Sequence, residues 1–151
     1  MEMSAIKSPV KHEHIECFDT LYHQFLKLDL EAAEKYPKEI KQFTSLDIAV
    51  INVIDTNPDI IVREIADILK IPNSTLTSAI NRLEEKEIAN RYISKRDRRS
   101  YGVKLTEKGR KVQKAHLDFE KAYFEDFLNR LETDEDRENF LQLLGKIINN
   151  A

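Results

Sequence analysis

Apolar residues recur every three or four positions over residues 10–35, through Ile15, Phe18, Tyr22, Phe25, Ala32 and Ala33. Leu21, Leu26, Leu28 and Leu30 widen the same face, and the spacing predicts one long amphipathic helix. Tyr36-Pro37 ends it, because the residue before a proline is driven out of the helical region. Thr44 or Ser45 offers a cap for a helix over residues 46–55, with Asp47 in its first turn. The Ile, Val and Ala content of that helix predicts deep burial. Asn57-Pro58-Asp59 reads as a turn, and the isolated β-branched run Ile60-Ile61-Val62 as a minimal edge strand.

Residues 63–69 form a short helix with Ile65, Ala66 and Leu69 inward, followed by the turn Ile71-Pro72-Asn73-Ser74. Asn73 or Ser74 is the expected cap of the next helix, residues 74–86. Leu76, Ala79, Ile80 and Leu83 make its buried side; Ser74, Thr75, Thr77, Ser78, Asn81 and Arg82 make the other. Residues 91–94 and 101–105 alternate as paired strands do, and the charged loop Lys95-Arg96-Asp97-Arg98-Arg99-Ser100 joins them. Thr106 opens a long helix with Val112, Ala115, Phe119, Ala122, Tyr123, Phe127 and Leu131 on its apolar side. Thr133 and its acidic neighbours open a last one carrying Phe140, Leu141, Leu144, Ile147 and Ile148.

The fold class is therefore mainly α with a small β-hairpin wing: a winged helix-turn-helix plus a helical dimerisation layer. With 151 residues, the expectation is a single domain, 1–151, long enough to bury about two-thirds of its unfolded surface. Within it, residues 43–106 form the winged lobe, and 10–36 and 107–150 the dimerisation helices. A small domain has no means of covering apolar faces on all three of those helices. They are expected to pack together and against a second copy about a two-fold axis.

Charge sharpens this picture. The formal net charge is −3, yet residues 73–114 hold 12 Lys and Arg against 5 Asp and Glu, a local +7. The rest of the chain then carries −10. Positive charge concentrated on one module suits nucleic acid, because each phosphate contact releases condensed counterions. No apolar run approaches the roughly 18 residues needed to span a bilayer, and residues 1–16 lack the apolar stretch of a signal peptide. With the single cysteine Cys17, the expectation is a reducing cytoplasm and no disulfide framework. Three glycines, Gly102, Gly109 and Gly145, leave no glycine-rich phosphate loop.

The two polar elements of the module have distinct chemistry. A major groove admits an α-helix whose N-terminal side chains reach base edges. Short residues there keep the helix close to the bases, as Ser74, Thr75, Thr77 and Ser78 do, while Asn81 and Arg82 add longer donors. Residues 95–99 hold four basic side chains out of five, and arginine is favoured in the deep negative potential of a narrow minor groove. Asp97 is positioned to hold a neighbouring guanidinium in one pose.

These motifs resemble the MarR (multiple antibiotic resistance regulator) family of bacterial transcription factors. The resemblance rests on Arg63-Glu64-Ile65-Ala66, on Thr77 with Leu83-Glu84-Glu85-Lys86, on the wing Asp97-Arg98-Arg99-Ser100, and on the exit Leu105-Thr106-Glu107-Lys108-Gly109. It covers roughly residues 43–114; the flanking helices fit by pattern only. It implies a homodimer with two winged helices that binds a short palindromic operator in double-stranded DNA and represses nearby genes until a small-molecule effector releases it. It also implies that Arg99 enters the minor groove with Asp97 as its orienter. One departure stands out: the family usually has glycine after the recognition helix, where this chain has Glu87. Either Glu87 adopts the left-handed conformation at a cost on the order of 1 kcal/mol, or the helix ends differently, with Asn90 taking that conformation.

For an effector, family analogy and helix faces suggest a pocket lined by Tyr22, His23, Phe25 and Phe43. Cys17 is the one candidate for redox sensing, which needs a lowered thiol pKa; a cysteine on an apolar helix is more often plain core. His12, His14, Glu16 and Cys17 cluster in sequence, but a zinc site needs three or four ligands converging on one point, so no metal and no cofactor is assigned. No membrane partner is expected. The alternative function is a winged-helix module binding an acidic protein surface, although such an interface would more often expose aromatics. An enzyme is not expected: nothing supplies a third catalytic residue or an oxyanion hole beside Cys17 and a histidine.

Overall fold

The computed structural model describes residues 8–96 and 99–149. The chain divides into two units, one ending at Tyr36 and the other beginning at Pro37. The first contributes α1 (His12–Glu34), in which Ala32 is the one buried residue among those described. The Phe18 and Tyr22 rings stack along its surface with centroids 6.1 Å apart, the neighbour relation that four-residue spacing creates on a helix.

The second unit runs α2 (Lys38–Lys41), α3 (Ser45–Thr56), α4 (Val62–Leu69), α5 (Asn73–Glu85), β1 (Ala89–Ile93), β2 (Tyr101–Leu105), α6 (Glu107–Leu128) and α7 (Asp134–Asn149). Its core is built around α3, whose Val50, Ile51, Val53 and Ile54 meet Ile65 and Ala66 of α4 and Leu76, Ala79, Ile80 and Leu83 of α5. Ile88 and Ala89, Val103 and Leu105 from the hairpin, and Val112 from α6 complete it. The α3 start is fixed by a reciprocal cap: Thr44 Oγ1 accepts from the Asp47 amide at 3.1 Å, and Asp47 Oδ2 accepts from the Thr44 amide at 3.0 Å. Both orphan donors are thereby satisfied.

β1 and β2 pair antiparallel, from Ala89 opposite Leu105 to Ile93 opposite Tyr101. Ile61 bridges Gly102 on the far side of β2, so the predicted edge strand shrinks to one residue and Val62 already begins α4. β1 starts at Ala89 rather than Arg91, because Ile88 and Ala89 are fully buried and pull the strand's first residues into the core.

Three further local points are settled by the structure: one expectation changes, one element is added, and one open alternative is resolved. Pro72, not Asn73 or Ser74, occupies the cap position of α5, and no side chain caps that end; the fixed proline backbone delivers the chain into the helix directly. The single turn α2, with Ile40 buried, has no periodic signature because it is only four residues long. Glu87, not Asn90, takes the left-handed conformation, at φ 60°. It closes α5 through the Glu87 amide to Glu84 (2.9 Å) and the Ile88 amide to Leu83 (2.8 Å), the paired bonds of a Schellman end. Past α6, Thr133 Oγ1 accepts from the Asp136 amide at 3.1 Å and so starts α7, which has no buried residue among those described.

Candidate nucleic-acid interface

Because α5 buries Leu76, Ala79, Ile80 and Leu83, its opposite side is fixed in the open. Ser74, Thr75, Thr77, Ser78 and Asn81 are all exposed there. Ser78 Oγ donates back to the Ser74 carbonyl at 3.1 Å, which keeps its hydroxyl close to the helix. The amides of the first turn have no side-chain cap, and a helix N-terminus in that state favours an anion such as phosphate.

Arg82 does not stand with these five. It is half-buried, and its Nη2 meets Asp47 Oδ1 at 2.6 Å, so the side chain turns toward the start of α3. Burial alone would raise the Asp47 carboxyl. The Arg82 bond, the two Thr44 bonds and the guanidinium charge outweigh it and hold the group below its usual range.

The structure brings in two residues that the sequence reading did not place at the site. Arg63 of α4 and Arg91 of β1 line an open cleft of about 600 Å³ together with Asn73, Thr77, Asn81, Ser100 and Tyr101. Arg91 donates through Nη2 to Asn81 Oδ1 (2.9 Å) and also pairs with Glu84, whose Oε1 accepts from the Arg91 amide at 2.9 Å. The alternation of residues 91–94 was the only sequence signal for Arg91, and it could not say which helix lay opposite.

In the hairpin loop, Lys95, Arg96 and Arg99 are all exposed. Arg96 Nη2 donates to Glu64 Oε1, and its amide donates to Ser94 Oγ at 3.2 Å. The Ile61 amide (3.1 Å) and the Arg96 guanidinium hold the Glu64 carboxyl below the usual range. Asp97 and Arg98 lie outside the described residues, as does the expected grip of Asp97 on a guanidinium. The base of the hairpin is fixed by Tyr92, whose hydroxyl donates to Asp59 Oδ1 at 3.3 Å. Burial, then the Asp59 charge, push the Tyr92 phenol upward. Gly102 lies under the Tyr92 ring, and a Cβ there would stand 2.4 Å from Tyr92 Cζ.

The candidate effector residues fall in both units. Tyr22, His23 and Phe25 are exposed on α1, with the Tyr22 and His23 rings edge-on at 5.8 Å. Phe43, in the second unit, is partly buried against the core with Lys86 Nζ 5.4 Å from its ring centre. Cys17 is exposed on α1 rather than packed as core. His12 Nε2 lies 3.3 Å from Glu16, and no three His, Cys, Asp or Glu side chains converge among the described residues. Among those residues, no helix is long and apolar enough to cross a membrane.

A short helix, a turn, a second helix with an open polar face and a basic antiparallel hairpin together define a winged helix-turn-helix. Residues 43–101 match the MarR family model, and the chain is similar over most of its length to transcriptional regulators. It is 28% identical over 128 residues to the transcriptional regulator HosA of Escherichia coli O127:H6, covering 85% of this chain and 94% of HosA. The HTH-type transcriptional regulator SarZ of Staphylococcus epidermidis is 26% identical over 117 residues, covering 74% of this chain and 79% of SarZ. The crystal structure of Streptococcus pneumoniae FabT in complex with DNA superposes with a TM-score of 0.72 and 26% identity, covering 93% of this chain and 94% of FabT.

Proposed function

We propose that the protein is a homodimeric, sequence-specific DNA-binding regulator of transcription that reads a palindromic operator and acts in the cytoplasm as a repressor released by a small-molecule effector. The observation that carries this reading is the exposed face Ser74, Thr75, Thr77, Ser78 and Asn81, set on a rigid core beside a basic hairpin, in a fold shared with a relative solved on DNA. Small side chains let α5 approach base edges in the major groove, and Lys95 and Arg99 reach an adjacent backbone or minor groove. Residues 43–106 are the DNA-binding lobe in this reading; 10–36 and 107–150 supply the contact between copies. Support for that second role comes from the apolar residues left open on α1, α6 and α7, among them Phe18, Leu30, Phe124, Leu141 and Ile147.

Selection from a pool of random duplexes, with Arg99→Ala run beside the wild type, tests the reading. An enriched palindrome that Arg99→Ala binds at least about tenfold more weakly, a cost on the scale of one good groove contact, is the expected result. Retention without any motif would replace it with a nonspecific or protein-binding winged helix.

A further inference from the structure

Besides the Arg91 bonds to Asn81 and Glu84 of α5, three ties among the described residues hold the wing to residues 59–64, and the third involves a residue of the basic loop. Val103 donates its amide to the Ile60 carbonyl at 3.2 Å, and Tyr92 reaches Asp59 from the same strand pair. The third tie is Glu64 on α4. One carboxylate oxygen, Oε2, is held by the Ile61 amide at 3.1 Å, and the other receives the Arg96 guanidinium. The carboxylate is thus oriented by its own helix start before Arg96 arrives. On the other side, the Arg96 amide is bonded to Ser94 Oγ, and Ser94, only 2% exposed, donates its own amide to Ser100 across the hairpin at 3.0 Å. Backbone and side chain of Arg96 are therefore both engaged where the loop leaves β1.

We propose that Arg96 is a positioning residue and not a DNA ligand: clasped by Glu64, it sets the angle at which the wing presents Lys95 and Arg99. The inference rests on the DNA-binding reading above and gives Arg96 a role distinct from that of Lys95 and Arg99. A guanidinium bonded to an oriented carboxylate brings no net charge to a phosphate, so removing both charges together leaves counterion release unchanged. Its loss loosens the loop and weakens only the binding that needs a defined wing pose.

The test measures affinity for the enriched duplex across a salt series, using wild type, Arg96→Gln, Glu64→Gln, the double variant and Arg99→Ala. Each single clasp variant is expected to bind about two- to fivefold more weakly, the scale of a part-exposed ion pair, and the double variant no more weakly than the worse single. The slope of log affinity against log salt should match wild type in the double variant, which removes the two opposite charges together. A slope reduced by about one unit in that variant would put Arg96 on a phosphate and overturn the proposal. Additive losses in the double variant, or full affinity in both single variants while Arg99→Ala is impaired, would overturn it too. If the wild type enriches no duplex, the DNA-binding reading itself fails and takes the clasp with it; if a duplex is enriched and Arg99→Ala binds it as well as wild type, the wing presents nothing to DNA and the clasp alone is overturned.

Discussion

Glu87 holds a left-handed backbone at φ 60° to let α5 end and the chain turn into Ile88, a conformation that costs a residue bearing a Cβ on the order of 1 kcal/mol. Among the described residues its side chain pairs with Lys108 Nζ at 3.4 Å on an exposed surface, a pair of small value. Glu87→Gly should therefore raise stability by about 0.5–1 kcal/mol, seen as a melting temperature higher by about 1–4 °C; an unchanged or lower melting temperature would contradict the strain argument. The opposite outcome is expected at Asp47, 2% exposed and partnered by Thr44 and Arg82. Asp47→Ala removes one half of the α3 cap and leaves Arg82 half-buried without its carboxylate, a loss of about 2–4 kcal/mol in urea unfolding. Because the native Asp47 carboxyl titrates below its ordinary value of 3.8, its contribution is present above that value and is lost as the pH falls through the native value. Asp47→Asn should accordingly show a flatter acid limb of stability against pH than wild type. Arg82 shows where sequence reading stopped: at about 100° per residue it sits only about 60° from Ala79, on the border between the two faces of α5. Periodicity cannot say which way a long side chain turns from such a position, and its partner Asp47 is 35 residues away.

At the scale of elements, the end of α5 is joined to the start of α6. Thr106 donates its hydroxyl to the Glu87 carbonyl at 2.7 Å and its amide to the Ile88 carbonyl at 2.9 Å. The same hydroxyl accepts from the Gly109 amide at 3.0 Å as the α6 cap, and Lys108 Nζ donates to the Lys86 carbonyl at 2.7 Å. The approach is close enough that a Cβ on Gly109 would stand 2.1 Å from the Ile88 carbonyl oxygen. That neighbour is backbone and cannot swing aside. Gly109→Ala should therefore cost about 1–3 kcal/mol or more and weaken DNA binding beyond its effect on folded fraction, because α5 and α6 are pushed apart. Equal stability in chemical unfolding would refute the packing argument. Thr106 was legible as a cap from its position before an apolar periodic run, and α3, α4 and β2 were placed within a residue or two for the same kind of reason. The contact partners of Gly109 and Gly102 were not legible. A glycine required by close approach looks in sequence like any other glycine until the opposite backbone or ring is in place.

At the scale of the whole molecule, what matters is the apolar surface that neither unit covers. On α1, Ile15, Phe18, Leu21 and Leu30 are exposed, with Phe18 at 67%; on α7, Leu141, Leu143, Ile147 and Ile148 are exposed, with Ile147 also at 67%. Helices in proteins draw most of their stability from packing an amphipathic face rather than from propensity, and on these two helices that face is open. In the proposed dimer, burial against a second copy supplies that packing, and obligate homodimer interfaces reach about 2,000 Å² or more. Sedimentation of the wild type should thus give a mass of two chains at micromolar concentration. The paired substitution Leu141→Glu with Ile147→Glu should shift it toward one, by placing carboxylates where apolar contact is required. Two winged lobes held together engage a palindrome with the second contact made at high effective concentration. The monomeric variant should therefore lose at least about a hundredfold in affinity for the palindrome, at the low end of the avidity gain from linking two modules. Binding to a single half-site should remain near the wild-type value, because α5 and the wing are unaltered. If the variant stays dimeric with full operator affinity, α7 is not part of the interface. If the wild type sediments as one chain, the exposed face belongs to a different partner and the palindrome expectation falls with the dimer.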